Sequence, residues 1–142
     1  MSKLRSDMSV EKLNQLSDGR LPGMFGLEMT ELAQGSLKSR MEIKSSYLAS
    51  NGYLHAATVV ALADTTCGYA STAHLPEGAV SFTTIELKSN HLGTLRQGVL
   101  CCEASAQHLG RSTQIWDAVV TDEASGQRIA LFRCTQMVLW GK

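Results

Sequence analysis

Neither sign of charge is in excess in this sequence: 13 Lys and Arg balance 13 Asp and Glu. A nucleic-acid binder needs a basic face, and none is visible, so nucleic acid is not an expected partner. The chain has no glycine-rich phosphate loop and no GxSxG elbow, which argues against nucleotide hydrolases and serine esterases. Cysteine is sparse: Cys67, Cys101, Cys102 and Cys134 form no CxxC pair. Cys101 and Cys102 are adjacent in an apparent strand, where neighbouring side chains point to opposite faces. A shared metal or a disulfide framework is therefore not expected, and reduced core thiols are the plainer reading. No metal and no cofactor is called for. The opening MSKLRSDMS lacks the apolar core of a signal peptide, so a cytoplasmic location is expected. There is no internal repeat, no low-complexity tract and no room for a second domain in 142 residues. The expected organisation is a polar segment over residues 1–20 and one domain over 21–142.

What is present is enough apolar sequence to build a core: 44% hydrophobic against 18% charged residues, a globular balance. Residues 8–16 fit a short amphipathic helix closed near Gly19. Leu21-Pro22-Gly23 reads as a breaker. Residues 27–33 read as a short strand. After Gly35, Leu37, Met41 and Ile43 alternate with Lys38, Arg40, Glu42 and Lys44, the period of a strand with one wet face. Past residue 80 the chain reads as four meandering strands, over 81–92, 99–108, 112–121 and 128–140. Short turns between sequential strands imply antiparallel pairing.

Between the two sets of strands lies NGYLHAATVVALADTTCGYASTA, residues 51–73. Asn51-Gly52 marks a turn. From Ala56 to Ala73 the run holds no Pro, Lys, Arg or Glu, and Asp64 is its one charged residue. An 18-residue helix is roughly 27 Å long and can lie across the concave face of a twisted sheet. The expected class is therefore α+β in two layers. The hydroxyls of Thr58, Thr65, Thr66, Ser71 and Thr72, together with Asp64, argue against a membrane span, and no membrane partner is expected. Burying an unpaired carboxylate is costly, so Asp64 is either well hydrogen-bonded, facing a surface, or placed there for chemistry.

The segment LHAATVVALADTTCGYA resembles the signature of hotdog-fold acyl-CoA thioesterases of the phenylacetate-pathway type, in which His-Gly-Gly precedes Leu-Ala-Asp. His55 and Asp64 keep the family's nine-position spacing. SFTTIELKSNHLGT, HLGRSTQIWDAVVTD and IALFRCTQMVLW are similar to the family's strands. The resemblance covers roughly residues 21–140 and implies a sheet wrapped around one long helix, acyl-CoA as substrate, and homodimers often paired into tetramers. It implies that Thr84, with Thr83 as competitor, carries a hydroxyl that holds the hydrolytic water. It also implies that His91 lines the acyl pocket, the alternative being a surface histidine at a strand end. Two departures stand out. The family's Gly-Gly is Ala56-Ala57 here, and the Asn or Gln common six residues before the His is Ala49, with Asn51 either replacing it or only shaping the turn.

The chemistry can also be read from the residues. Thioester hydrolysis needs a carboxylate to attack or to activate water, and donors for the developing oxyanion. Asp64 supplies the acid, as nucleophile or general base. The N–H groups at the helix start, Ala56 and Ala57, are natural anion donors. His55 either acts at the site or caps the helix. Gly52, beside Asn51, lies on the expected substrate side, and Gly110-Arg111-Ser112 is a turn suited to a CoA phosphate. Trp116 and Trp140 read as packing or interface residues. Eight residues of helix separate Ala56 from Asp64, about 12 Å, so one carbonyl cannot touch both within one helix. Two antiparallel helices about a twofold axis solve this, which predicts a dimer with shared sites. Two other classes remain: a non-catalytic acyl-CoA sensor, and a hotdog hydratase or dehydratase.

Overall fold

Alternation in residues 36–44 produces a strand with its inner face closed to water. In the computed structural model, which describes residues 2–142, Leu37, Ser39 and Met41 are buried along β2 (Ser36–Glu42) and alternate with more open Lys38, Arg40 and Glu42. Met1, the first residue of the expected polar segment, lies outside the described residues. The other elements are α1 (Val10–Gln15), α2 (Leu21–Met24), β1 (Glu28–Ala33), a 3-10 turn at Ser45–Tyr47, α3 (Ala56–Ala73), β3 (Ala79–His91), β4 (Val99–Leu109), β5 (Thr113–Asp122) and β6 (Arg128–Trp140). Two strands, one long helix and four strands is the predicted order, and the α+β class holds.

Two expectations need correction. Leu21-Pro22-Gly23 is not simply a breaker but the start of a four-residue helix. Pro22 sits in its first turn, where an N–H has no partner inside the helix anyway. The last four strands are not a simple meander either. The sheet is antiparallel in the order β1-β2-β4-β5-β6-β3, so only β4, β5 and β6 meander, and β3 pairs with β6 at the far edge. The connection from β3 back to β4 is more than a turn. It crosses under the start of α3, where the Leu54 N–H donates to the Leu95 carbonyl at 3.0 Å.

Helix α3 packs across the concave face of the sheet with Thr58, Val59, Leu62, Ala63, Thr66, Cys67, Ala70 and Ser71 buried. Small side chains let the helix approach the strands closely. Its hydroxyls are satisfied locally: Thr66, Ser71 and Thr72 donate to the carbonyls of Leu62, Cys67 and Gly68, a back-bonding pattern that removes the cost of burying them. Among the described residues no helix is long and apolar enough to cross a membrane.

At its C-terminal end the helix is tied down on every side. His74, wholly buried, accepts the Gly35 N–H at Nε2 (2.9 Å), and its Nδ1 lies 2.8 Å from the Ala70 carbonyl. The Arg5 N–H donates to the Ala73 carbonyl, and Gln114 Nε2 donates to the carbonyl of His74. Helix α1 belongs to the same core through Leu13, which is fully buried. Trp116 is also fully buried beside His74, a packing role as expected.

Candidate active site

Asp64 sits midway along α3, one turn before Gly68, where an added Cβ would meet Phe82 of β3 at 3.3 Å. It is half-buried, and its Oδ1 has no hydrogen-bond partner among the described residues. The possibility of an acid bonded to a neighbouring threonine is not what the structure has: the Thr66 hydroxyl is engaged with the Leu62 carbonyl and with Ser39 Oγ at 2.6 Å. Burial raises the Asp64 pKa above the usual carboxylate value, because the charged form has lost water and gained no donor. One helical turn on, the Cys67 thiol is pushed well up by the Cys134 thiol against it, by burial and by nearby charge that includes Asp64. A desolvated carboxylate with a free oxygen can attack an acyl carbon or take a proton from water.

At the helix start, His55 is the N-cap. Its Nδ1 accepts the Ala57 N–H at 2.9 Å. This corrects the expectation that both Ala56 and Ala57 offer free donors. The Ala57 hydrogen is taken by the imidazole, while the Ala56 N–H makes no hydrogen bond among the described residues and is exposed. Asn51 Oδ1 accepts the Tyr53 N–H at 3.1 Å, so Asn51 shapes the turn. Gly52 has φ +83°, a left-handed conformation that disfavours any side chain, and its N–H donates to the Ala49 carbonyl.

Strand register separates the two threonines. Thr84 pairs with the buried Gln136 of β6, which puts it on the helix-facing side; Thr83 pairs with the exposed Met137 on the outer side. His91 pairs with the buried Ala130 and is exposed at the strand end. Gly110, Arg111 and Ser112 form the β4–β5 turn at the opposite end of α3 from His55. There Arg111 stacks over Trp140 at 4.3 Å, and the turn borders a cleft of about 710 Å³ shared with Lys3, Arg5 and Glu77. The candidate residues thus fall into three groups. One chain holds Asp64 midway along α3 and Thr84 on the helix-facing row of β3, and leaves the helix start and the Arg111 turn at either end of an 18-residue helix.

The sequence profile of the Thioesterase superfamily matches residues 51–129. The chain belongs to that superfamily. A 1,4-dihydroxy-2-naphthoyl-CoA hydrolase of Listeria monocytogenes is 28% identical over 78% of this chain and 89% of its own length. A thioesterase from Pseudomonas aeruginosa, solved as a glutamine-to-alanine mutant, superposes with a TM-score of 0.90 at 28% identity, covering 96% of this chain and 97% of its own. The Escherichia coli PaaI protein from the phenylacetic acid degradation operon shares the fold, with a TM-score of 0.81 at 19% identity over 94% of this chain and 97% of its own. The fold is the hotdog, and thioester hydrolysis is the reaction class of this thioesterase.

Reading the sequence missed one feature of the thioesterase's concave face. Gln114 and Gln136 are both fully buried and sit opposite each other on β5 and β6, with Thr84 next in the same row on β3. The signal was available: each glutamine occupies an inward position in a strand whose other inward residues are apolar, such as Trp116 and Val138.

Proposed function

We propose that this thioesterase hydrolyses an acyl-CoA, of aryl or short to medium chain, to the free acid and CoA. Asp64 is the catalytic acid, acting as nucleophile or general base, and the Ala56 N–H at the mouth of α3 is the oxyanion donor. The observation that carries this reading is the half-buried Asp64 carboxylate with an unsatisfied oxygen and a raised pKa. An acid held at that cost has no structural partner to account for it. The aryl preference draws on the relative named as a dihydroxynaphthoyl-CoA hydrolase.

The working unit is a homodimer, with pairing of dimers as its extension. Ala56 and Asp64 are about 12 Å apart along one helix, so the donor from one chain meets the acid of the other. Strand β3, long and open at the sheet edge, is where the second copy adds. The same arrangement carries the Arg111 turn of one chain toward the helix start of its partner, where it serves the CoA phosphates.

Thiol release from a panel of acetyl-, octanoyl-, benzoyl- and phenylacetyl-CoA tests the reading. Wild type is expected to release CoA, and Asp64→Asn to lose about 10³-fold in kcat. The deprotonated acid is the active form, so activity falls as pH drops through the raised Asp64 pKa, and the acid limb of kcat/KM lies above the usual carboxylate range. Unchanged release by Asp64→Asn removes the assignment. Binding of CoA esters without release by wild type favours a sensor.

A further inference from the structure

The cleft of about 710 Å³ beside the β4–β5 turn has the volume of a small-molecule site. Gly110, Arg111 and Trp140 make one wall, and residues 2–7 make another. That second wall is held by its backbone at three points. The Ser2 N–H donates to the Leu109 carbonyl at 3.1 Å, the Leu4 N–H to the Gln34 side chain at 2.7 Å, and the Arg5 N–H to the Ala73 carbonyl at 2.9 Å. Five charged side chains line the cleft: Lys3, Arg5, Asp7, Glu77 and Arg111. Arg5 and Asp7 answer each other through bonds of 3.1 and 2.8 Å. Lys3 and Arg111 make no ion pair among the described residues. Arg111 lies over the Trp140 ring, 4.3 Å from its centroid. Stacking uses the flat face of a guanidinium and leaves its in-plane N–H groups for an anion. The cavity of about 370 Å³ around Arg40 is different: its cations are spoken for, Lys38 by Glu31 and Arg40 by Glu28 and Glu123.

We propose that residues 2–7 are part of the substrate site: Lys3 from their wall and Arg111 from the other bind the phosphates of the adenosine 3′,5′-bisphosphate end of CoA. This inference rests on the acyl-CoA reading above and extends it from the Arg111 turn to a segment that reading leaves idle. The nucleotide carries phosphate at two positions of one ribose. One cation cannot answer both, and two cations supplied from separate walls can. Arg111 offers a fork that matches phosphate geometry, and Lys3 a compact point charge. Glu77 lines the same cleft and opposes any anion there. The cleft therefore discriminates by the far end of the substrate: it favours a CoA thioester over a thioester of pantetheine alone, which has no nucleotide.

The test reads binding and turnover separately. Adenosine 3′,5′-bisphosphate is titrated against the protein with intrinsic fluorescence as the signal. Of the two tryptophans, Trp116 is fully buried and Trp140 lines the cleft. Saturable quenching that disappears in Trp140→Phe is expected. Lys3 is exposed, so its replacement leaves the fold intact. Lys3→Ala and Arg111→Ala should each raise Kd about 5-fold or more, and Glu77→Gln should lower it. Adenosine 5′-monophosphate should bind wild type more weakly by a similar factor. In turnover, the ratio of kcat/KM for benzoyl-CoA to that for benzoyl-pantetheine should fall in Lys3→Ala, through KM for the CoA ester, and recover in Lys3→Arg. No quenching by millimolar nucleotide, equal binding of the monophosphate or of inorganic phosphate, or a wild-type Kd and ratio in Lys3→Ala overturns the inference. If CoA esters are hydrolysed and Lys3→Ala changes neither measurement, only the cleft assignment is lost. If the nucleotide binds as described and no CoA ester is hydrolysed, the cleft stands and the thioesterase reading fails.

Discussion

The two edges of the sheet are built on opposite plans. Edge β1 is six residues long, interrupted between Met29 and Glu31, and lined by Glu28 and Glu31, which pair loosely with Arg40 and Lys38 at 3.9 and 3.5 Å. It is also covered. The side-chain amide of Asn14 on α1 behaves as a piece of strand, donating to the Met29 carbonyl at 3.1 Å and accepting the Met29 N–H at 2.7 Å. Edge β3 is 13 residues long, and Val80, Ile85 and Leu87 are 64%, 55% and 44% exposed along it. Shortness, charge and a cover are how a sheet refuses another strand; a long bare edge with exposed apolar residues invites one. The proposed chemistry lies on the inviting side: Thr84 is on β3 itself and Asp64 is one turn before Gly68, where an added Cβ would meet Phe82 of β3 at 3.3 Å, while β1 holds no candidate residue.

The largest effect is expected from putting charge on the inviting edge. Ile85→Glu should convert the proposed dimer to a monomer in light scattering and lower thioester hydrolysis by about 100-fold or more, because the donor of one chain would no longer meet the acid of the other. The same charge on the refusing edge, Thr30→Glu, should change neither mass nor rate. A dimeric and active Ile85→Glu protein would dissolve the contrast. A smaller effect is expected from uncovering β1. Asn14→Ala leaves both backbone groups of Met29 without their partner and should cost about 1–3 kcal/mol in urea unfolding, with kcat per folded molecule intact.

The smallest effect is confined to acid and concerns His74, which ties α3 to Gly35 on the refusing side. Burial lowers its pKa below the ordinary imidazole value, the bond to the Ala70 carbonyl opposing this in part. Protonating Nε2 would set a hydrogen against the Gly35 N–H. The unfolded chain therefore binds the proton more readily. Stability is full above about pH 6.5 and is lost as pH falls through the lower native pKa. Urea midpoints at pH 7.5 and 5 should show that loss in wild type and less of it in His74→Gln.

These contrasts also show which parts of the molecule can be read in one dimension. Helix α3 was legible to the residue because nothing between Ala56 and Ala73 interrupts it, and Asp64 stood out because it is the one charge in that run. The position of β2 followed from alternation, and those of the later strands from their apolar and Thr content between turns. Strand neighbours did not: β3 follows α3 in the chain, yet lies beside β6, a pairing that only the closed sheet fixes. The loss of the Ala57 donor to His55 was equally invisible, since a histidine before a helix can cap it or leave it open.

By itself, the sequence determined the class of fold, the long helix and the candidate acid, because those depend on local periodicity and on the cost of one charge among apolar neighbours. The tertiary structure decided which threonine faces the helix and which edge is left open. Those depend on strand register, and a shift of one residue in register turns every side chain to the other face.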